Sequence, residues 1–387
     1  MLRRIYQIAL REVGIMRKNL IYLFCMVIFP VVVTLLFTTM LANGQPTKMP
    51  VGIVDQDNTS TTRQLLRLLD AFESTSVVHS YPTVNAARNA IQKNEIYAFI
   101  YVPAGTTDKL LASRQPKISF YYSLASVTAG NLLYKDLKTI SSLGSAAMMR
   151  ATMRARGYTD RQILNFIQPI KIDLHQIANP MTDYNVYLST MLVPGVLMLF
   201  IFLITAYSLG TELKFGRSKQ WVDMAGGNMW VAIVGKLLPQ TLIFLTVMVC
   251  FWFYAFGLMQ FPHEGSTLMI LVLAVLSVLA SQGFGVFMFG LMPSLRMSMS
   301  ICSLWSVLSF SMVGSAFPVT AMDAPLQSLA VLFPLRHVFM TYQIVVFNGA
   351  PVIYAWPYLL ALIGFALLGS VMLPKIKNVM LTYVYIP

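Results

Sequence analysis

The sequence predicts a polytopic α-helical membrane protein with six transmembrane helices and an inserted extracytoplasmic α/β domain. Hydrophobic residues account for 57% of its 387 residues and charged residues for only 11%, whereas roughly a quarter of the residues are charged in an average soluble domain. Uncharged apolar stretches recur along the chain, and about 20 such residues cross a bilayer as one helix. Between the first two stretches, residues 44–183 alternate short β-rich and helical patterns, which is typical of an α/β domain.

Six apolar stretches without Asp, Glu, Lys, Arg or His are long enough to span the bilayer. They run from Leu20 to Ala42, Val186 to Leu209, Leu237 to Met259, Leu268 to Met292, Met297 to Met322 and Val352 to Leu373. Their limits divide the chain into an N-terminal segment (1–18), a first span (19–43), the insert (44–183) and a membrane core (184–387). The core contains two longer connections, a charged loop at 210–236 and a segment at 323–351.

Residues 1–18 have the pattern of an amphipathic helix that lies at a membrane surface and contacts lipid. The apolar residues at helical spacing are Leu2, Ile5, Ala9, Val13 and Met16, and the basic residues on another face are Arg4, Arg11 and Lys18. The next apolar stretch has about 23 residues, which is longer than the ~7–15 residues of a signal-peptide core, and it lacks a small-residue cleavage site. We therefore expect an uncleaved first span.

The positions of Lys and Arg predict the orientation in the membrane. Basic residues occur before the first span, in the loop 210–236, between the fourth and fifth spans and after the sixth, whereas the short loops on the opposite side contain only Arg336. Because cytoplasmic loops carry an excess of Lys and Arg, both termini and the loop 210–236 are expected in the cytoplasm. The same distribution accounts for the formal net charge of +13 without a nucleic-acid partner.

The insert is expected to fold on its own core. Its strands are predicted at Val51 to Asp55, Ser76 to Tyr81, Tyr97 to Val102 and Lys117 to Tyr122, and a long helix from Thr128 to Arg156 is predicted to form a stalk. All three cysteines lie in apolar spans, so the insert has no disulfide framework.

The segment 323–351 is too long for a turn and too short to cross the bilayer and return. It predicts one or two short helices that dip into the outer leaflet, where surrounding protein must satisfy their backbone groups. The residues that mark this re-entrant segment are Pro334, Arg336 and His337.

No pattern of residues indicates catalysis or a bound cofactor. The four histidines lack cysteines or carboxylates at metal-ligand spacing, so no metal site is expected. Gly235 and Lys236 resemble the end of a phosphate-binding loop, but Trp230 stands where that loop needs glycine and Leu237 where it needs Ser or Thr. The chain is therefore not expected to bind ATP itself.

The predicted spans also contain no Asp, Glu, Lys, Arg or His, although ion-coupled transporters usually keep carboxylates or other charged groups at mid-membrane depth. Energy for uphill transport would then have to enter through a cytoplasmic surface, and the loop 210–236 offers one. Contact with anionic lipid is the alternative for a basic loop. Trp221, Met224, Met229 and Trp230 favour a protein interface, where aromatic and Met side chains are common.

Four stretches carry a resemblance to a known family. They are VGIVDQDNTSTTRQLLR (Val51 to Arg67), NPMTDY (Asn179 to Tyr184), GKLLP (Gly235 to Pro239) and FPLRHVFMTYQIVVFNG (Phe333 to Gly349). Together, and in this order, they resemble the membrane subunit of an ABC-2 type ABC exporter, in the branch with a large periplasmic domain between the first two spans.

The resemblance implies a permease subunit of a bacterial inner membrane, paired with a second permease and with two cytoplasmic ATPase subunits that bind ATP and Mg. A periplasmic adaptor and an outer membrane channel often accompany such subunits. In the family, the loop after the second span usually reads R-E-R-E-x-G-T-L-E-Q-L and contacts the ATPase. With Gly216 on the motif glycine, Glu212 matches its first Glu, whereas Lys214, Arg217 and Lys219 depart from it.

The charge pattern and the resemblance together give the residues expected to couple to the ATPase. They are Glu212, Lys214, Gly216, Arg217 and Lys219, followed by Gly235, Lys236 and Pro239 of an expected turn from Gly235 to Pro239. The departures leave two alternatives: an ATPase with complementary acidic residues, or a second, more typical permease that makes the standard contact.

The leading hypothesis is a subunit of an ATP-driven exporter that forms half of the path for a hydrophobic or amphipathic substrate. The second is a membrane-anchored sensor whose insert binds a ligand. A secondary transporter or channel is the third, and the uncharged spans disfavour it. An enzyme is the weakest alternative, because no catalytic constellation supports it.

Overall fold

The chain folds into two compact units, one inserted in the other. The inserted unit covers Asn43–Gln176, and the helical unit covers Met1–Ala42 together with Ile177–Pro387. The computed structural model describes residues 1–112, 114–170, 172–175, 178–179 and 181–382. Residue 180 of the NPMTDY stretch and the last five residues of the predicted membrane core lie outside the described residues.

The inserted unit contains a four-stranded mixed sheet in the order β2-β1-β3-β4. The strands are β1 (Met49–Asp55), β2 (Thr75–Ser80), β3 (Ala98–Val102) and β4 (Ser119–Tyr122), and each lies within two residues of the limits predicted from the sequence. β1 pairs in parallel with both β2 and β3, and β4 runs antiparallel to β3. The parallel pairs need helical crossovers, which the intervening helices provide.

Helices cover both faces of this sheet. The helices of the inserted unit are α4 (Ser60–Asp70), α5 (Val84–Gln92), α6 (Thr106–Leu111), α7 (Val127–Ala155) and α8 (Asp160–Ile167). Val51 and Ile100 face a core shared with α4 and α7, whereas Val54 and Phe99 pack against α5 on the other face. The alternation of strand side chains therefore builds a three-layer α/β arrangement.

The helical unit begins with α1 (Leu2–Lys18), followed by α2 (Leu20–Leu23) and α3 (Phe29–Met40). A π-helical turn at Phe24–Ile28 joins α2 to α3 and ends just before Pro30. Proline has no amide hydrogen and its ring crowds the preceding turn, so a wider turn at this point accommodates it.

The remaining helices form the bulk of the unit. They are α9 (Tyr184–Lys214), α10 (Ser218–Met224), α11 (Met229–Phe253), α12 (Thr267–Leu291), α13 (Leu295–Met312), α14 (Ala324–Ala330), α15 (Pro334–Thr341), α16 (Trp356–Leu368) and α17 (Leu373–Thr382). α9 packs along α12 and α13, and α12 packs along α16. The core between them is apolar and includes Leu197, Phe202 and Phe284.

Within the described residues, five helices are long and apolar enough to cross a membrane. They are Leu20–Met40, Tyr184–Lys214, Met229–Leu258, Thr267–Leu291 and Val352–Thr382. A sixth is obtained if the pair Ala324–Ala330 and Pro334–Phe347, bent by 84°, counts as one span. The chain is thus a multi-pass helical membrane protein.

The fifth predicted span, Met297–Met322, is longer than the helix that forms there. α13 ends ten residues earlier, at Met312, and the chain then turns at Gly314, whose φ is 97°. Six of the 18 residues of α13 are serine, so the helix is less apolar than the five spans above. The expected length was wrong because the apolar stretch continues past Gly314 although the helix does not.

The predicted limits of the loop 210–236 were also wrong. α9 continues through Lys214, and α11 begins at Met229, so Gly235–Pro239 lies inside a helix and not in a turn. The sequence-based limits stopped at the first charged residue. The helices extend further because the charges of Glu212 and Lys236 are paired inside the protein.

Candidate functional site

A buried lysine joins three helices. The Nζ atom of Lys236 lies 2.6 Å from Oε2 of Glu12 and 2.7 Å from Oε1 of Glu212. The side chain of Lys236 is 1% exposed and the two glutamate side chains are 0% exposed. Short charge-assisted hydrogen bonds of this kind are the strong ones, and buried ions need them because they have lost their water.

Arg11 completes the cluster. Its Nη1 and Nη2 atoms each donate a hydrogen bond of 2.8 Å, one to each carboxylate oxygen of Glu212. Burial works against the charge of Arg11, but the bonds to Glu212 and the negative charges of both glutamates outweigh it and raise the pKa of Arg11 above its usual value. Two cations and two anions therefore form a cluster without net charge, called the ion cluster below.

The ion cluster depends on where the helices place its members. Arg11 and Glu12 are consecutive in α1, so their side chains diverge, one towards Glu212 and one towards Lys236. Gln240 lies one turn after Lys236 on the same face of α11 and donates a bond of 3.3 Å from Nε2 to Oε1 of Glu12.

Lys236 also contacts an aromatic ring. Nζ of Lys236 lies 5.4 Å from the ring centroid of Trp221, which is fully buried in α10. This distance is within the range of a cation–π interaction. Lys236 thus contacts α1, α9 and α10 from its own position in α11, so four elements meet at one side chain.

Gly235 allows α1 to approach α11 closely. A Cβ atom at this position would lie 2.9 Å from Cβ of Ile8 and 3.0 Å from the carbonyl oxygen of Ile5. Ile8 is fully buried at this contact. Pro239, one turn later, cannot donate a hydrogen bond to the carbonyl of Gly235, so α11 lacks one backbone hydrogen bond here.

Gly216 ends α9 and turns the chain. Its φ of 64° is in the left-handed region that favours glycine. The amide of Arg217 donates to the carbonyl of Glu212 and the amide of Gly216 to that of Leu213, at 2.9 and 3.1 Å, which is the Schellman pattern of a helix end. The same residue that carries the buried carboxylate therefore also anchors the turn.

The turn between α9 and α10 presents basic side chains. Lys214 and Lys219 are exposed, and the guanidinium carbon of Arg217 lies 5.0 Å from the ring centroid of Phe215. Asp223 is the one exposed acidic residue between Glu212 and Lys236. The loop therefore has a buried part whose charges are paired and an exposed part that is basic.

The structure separates the predicted site residues into these two parts. Glu212, Gly235, Lys236 and Pro239 are buried, Lys214, Gly216 and Lys219 are exposed, and Arg217 is intermediate. The expectation that Glu212 and Lys236 lie on an exposed loop is wrong, because the loop is mostly helical and α1 covers both side chains.

The residues of segment 323–351 lie apart from the ion cluster. Pro334 begins α15, Nη1 of Arg336 donates to the carbonyl of Val313 at 3.2 Å, and Nε2 of His337 donates to the carbonyl of Val331 at 2.7 Å. Arg336 thus satisfies a carbonyl just after the end of α13, where a cation also suits the helix dipole.

Sequence reasoning missed Arg11, Glu12 and Gln240 as members of the cluster. One signal was present: Glu12 is the first acidic residue of the chain, and no other occurs before Asp55. It lies four residues after Ile8 and three before Ile15, on an apolar stripe of α1. A carboxylate on such a stripe indicates a buried partner of opposite charge.

The fold and the ion cluster together define a multi-pass helical membrane protein with a charged junction at one end of its helices. A family model described as ABC-2 family transporter protein matches residues 20–373, so the chain belongs to this family. No curated protein matches the chain. The resemblance to an ABC-2 type permease is thereby confirmed, and family membership implies a cytoplasmic ATPase partner. α1, with Arg11 and Glu12, lies outside the matched residues.

Replacing Lys236 with methionine should strongly destabilise the helical unit. The change leaves two buried carboxylates with Arg11 as their remaining cation, and loss of one partner from a buried pair costs about 3–5 kcal/mol. We expect a clearly lower thermal unfolding midpoint of the purified full chain, recorded by tryptophan fluorescence.

The double variant Glu12→Gln/Lys236→Met tests whether charge balance is the cause. It keeps the Arg11–Glu212 pair and should recover part of the lost midpoint. Lys214→Met, which removes an exposed lysine of the same loop, should leave the midpoint near that of the native chain. A double variant as unstable as Lys236→Met would contradict the role assigned to the cluster.

Gly235→Ala should loosen α1 because the added methyl group has no room. Overpacking of this kind costs about 1–3 kcal/mol, and hydrogen exchange of residues 2–18 should become faster. Gly14→Ala in α1 is the matched control, since nothing lies within 4 Å of its added Cβ. That change should leave exchange unchanged or slow it, because alanine favours a helix by about 0.8–1.0 kcal/mol over glycine. Equal exchange in the native and Gly235→Ala chains would show that the close approach is unimportant.

Proposed function

We propose that the chain is the transmembrane subunit of an ATP-driven ABC-2 exporter and forms half of the translocation path. ATP, with Mg, is bound and hydrolysed by a separate cytoplasmic subunit. The observation that carries the proposal is the ion cluster behind the basic turn: exposed Lys214 and Lys219 lie on a loop whose buried Glu212 and Lys236 join α1, α9 and α11.

This arrangement supports two separate roles for the residues of the loop. The exposed basic residues bind the ATPase, and the buried residues transmit its movement. A push on α10 reaches Lys236 through Trp221 and then reaches α1 through Glu12. Because interiors are close-packed and the cluster is fully paired, the four elements respond together and not one at a time.

The absence of charge from the middle of the apolar helices supports an external energy source. In the helices that count as spans, Glu212 lies two residues from the end of α9, and Lys236 is the eighth residue of α11. Glu212 and Lys236 form an ion pair with each other. Ion-driven transporters need titratable groups near mid-membrane depth, which neither position offers.

We further propose six crossings, with α13 as the fifth and 323–351 as a re-entrant segment. The 18 residues of α13 extend about 27 Å, close to the thickness of the hydrocarbon layer. Its serines can be tolerated in lipid because hydroxyl groups bond to the preceding turn: Ser298, Ser300 and Ser309 each donate to the carbonyl four residues earlier.

The membrane is the inner membrane of a bacterial cell. With six crossings, the basic termini and loop 210–236 lie on its cytoplasmic side, and the inserted unit lies in the periplasm. A second permease subunit, identical or different, completes the path. The inserted unit is the natural contact for a periplasmic adaptor that leads to an outer membrane channel. The apolar helix surfaces favour a hydrophobic or amphipathic substrate.

Reversing the charge of the exposed lysines should weaken coupling without unfolding the chain. Lys214→Glu/Lys219→Glu is expected to lower ATP hydrolysis by the complex about tenfold or more, since close charge pairs across an interface are worth about 1.5–7 kcal/mol. The chain would be co-expressed with the ABC ATPases of the same genome, and ATP hydrolysis of the purified complex measured in vesicles.

The control variant is Arg88→Glu/Lys93→Glu, which reverses two exposed basic residues of the inserted unit. It should bind the ATPase and support hydrolysis like the native chain. Native hydrolysis in the Lys214→Glu/Lys219→Glu complex would refute the assignment of the turn. Failure of the native chain to bind any of these ATPases would refute the proposed function as a whole.

A further inference from the structure

The sheet of the inserted unit has two outer edges, and they differ. On the edge formed by β2, the amide of Val77 donates a hydrogen bond of 2.7 Å to Oδ1 of Asp70. The register between β2 and β1 also shifts between Val51 and Gly52. A charged side chain and an irregular register are two of the means by which edge strands avoid pairing with another chain. The edge formed by β2 is therefore protected.

The edge formed by β4 is regular and open. β4 pairs with β3 without a register shift, and the amide of Ser123 donates to the carbonyl of Tyr97 just beyond the paired residues. Backbone groups of successive residues in a strand point to opposite sides, so Tyr121 also faces β3, whereas Phe120 and Tyr122 face outwards. In the part of the chain that the structure describes, the outward N–H and C=O groups of these two residues have no hydrogen-bond partner.

The surface around the β4 edge is apolar. Tyr122 is 37% exposed, and its ring centroid lies 5.4 Å from that of Tyr134 in α7, which is 43% exposed. Leu124 and Val127, which follow β4, are 55% and 64% exposed. The sequence from Ile118 to Tyr134 contains no Asp, Glu, Lys or Arg. An open strand edge beside an apolar surface is a place where another chain pairs.

We propose that the β4 edge binds the β4 edge of a second copy of this chain, so that the two sheets continue as one. A two-fold arrangement centred on Tyr121 places Phe120 of each copy opposite Tyr122 of the other. The outward N–H groups of these residues then donate to the outward C=O groups across the two-fold axis, as in an antiparallel sheet. The inference rests on the proposal that two permease subunits complete the path, and it adds that they are identical copies joined through their inserted units.

The sequence of the strand favours a second copy as the occupant. In this register Phe120 and Tyr122 form cross-strand aromatic pairs, which stabilise a sheet. Lys117, the nearest charged residue before the strand, lies opposite Ala125. The two Lys117 residues are then about 27 Å apart along the sheet, where salt screens their repulsion. The edge is therefore self-complementary, as an interface between identical subunits requires.

The second copy also brings a strand that is already formed. An extended segment of another protein would first have to become ordered, which costs free energy on binding. The β4 edge of the second copy is held in place by β3, so it pays no such cost.

Cysteine crosslinking of the full chain in membrane vesicles tests the pairing. In a background with Cys25, Cys250 and Cys302 replaced by alanine, Tyr121→Cys should shift from monomer to disulfide-linked dimer under mild oxidation. The Cα atoms of a non-hydrogen-bonded antiparallel pair are about 4.5 Å apart, which a disulfide can bridge. The matched control is Val78→Cys, at an exposed position of the β2 edge, and it should remain monomeric.

Ser119 and Ser123 test the register. Ser119→Cys alone should remain monomeric, because the two copies of this residue would be about 14 Å apart. Ser119→Cys/Ser123→Cys should form the dimer, because each residue lies opposite the other across the two-fold axis.

A proline separates backbone pairing from contact between rings. Tyr122→Pro removes the outward N–H and leaves the bonds between β4 and β3 in place, and proline is tolerated at such an edge. Tyr122→Ala removes the same ring but keeps the N–H. Combined with Tyr121→Cys, the proline variant should lose the crosslink and the alanine variant should keep part of it. Unchanged hydrogen exchange of β3 would show that the inserted unit remains folded in both.

The inference is overturned if Tyr121→Cys remains monomeric in a complex that hydrolyses ATP, if Val78→Cys crosslinks equally, or if the proline and alanine variants crosslink equally. It is also overturned if Tyr121→Cys remains monomeric and Tyr122→Pro instead weakens binding of a purified periplasmic adaptor, because the edge would then pair with that protein. Crosslinking needs no ATPase. A chain that forms the predicted dimer but binds no ATPase would therefore support the β4 interface and refute the proposed function alone.

Discussion

A buried lysine cannot stand alone in an apolar interior, and the helical unit is arranged around this constraint. Removing one ammonium or carboxylate from water costs several kcal/mol even after the protein relaxes. Lys236 meets this cost with Glu12 and Glu212 at 2.6 and 2.7 Å, and Glu212 in turn accepts both guanidinium bonds of Arg11. No pair of these residues would suffice, because each carboxylate needs more than one donor.

In the loop after the second span, one charged residue matches the pattern typical of the family and two depart from it, and the ion cluster separates these two groups. Glu212 agrees with the pattern typical of the family, and it is buried in the cluster. Lys214 and Lys219, which depart from that pattern, are exposed. Exposed positions can change sign at little cost to folding, since surface charges contribute little to stability. The departures therefore change the exposed charge of this chain and leave the buried ion cluster intact.

Much of the fold could be predicted from patterns that depend on local physics. The strands of the inserted unit follow alternation and β-branched residues, and the first apolar stretch ends within two residues of the predicted limit. The predictions that differed were those in which distant residues decide the structure. α9 and α11 extend past their first charged residues because α1 pairs those charges, and α1 is far from both in sequence.

The candidate site was predictable in its location but not in its construction. The charge pattern and the family resemblance pointed to residues 210–236, yet no rule of spacing links Glu12 to Lys236 across more than 200 positions. Gly235 was expected in a turn and instead provides the close approach of two helices. A lone carboxylate on an apolar stripe was the available signal, and it indicates that a partner exists without indicating which one.

The most direct measurement is the distance between α1 and α11 in the intact chain. Spin labels at Leu10→Cys and Trp230→Cys, in a background with Cys25, Cys250 and Cys302 replaced by alanine, report this distance by electron spin resonance in nanodiscs. Both labelled positions are exposed. If the ion cluster holds α1 in place, the native chain gives one narrow distance distribution and Lys236→Met gives a broad one. An equally narrow distribution in Lys236→Met would show that α1 stays on α11 without the lysine and would contradict this account.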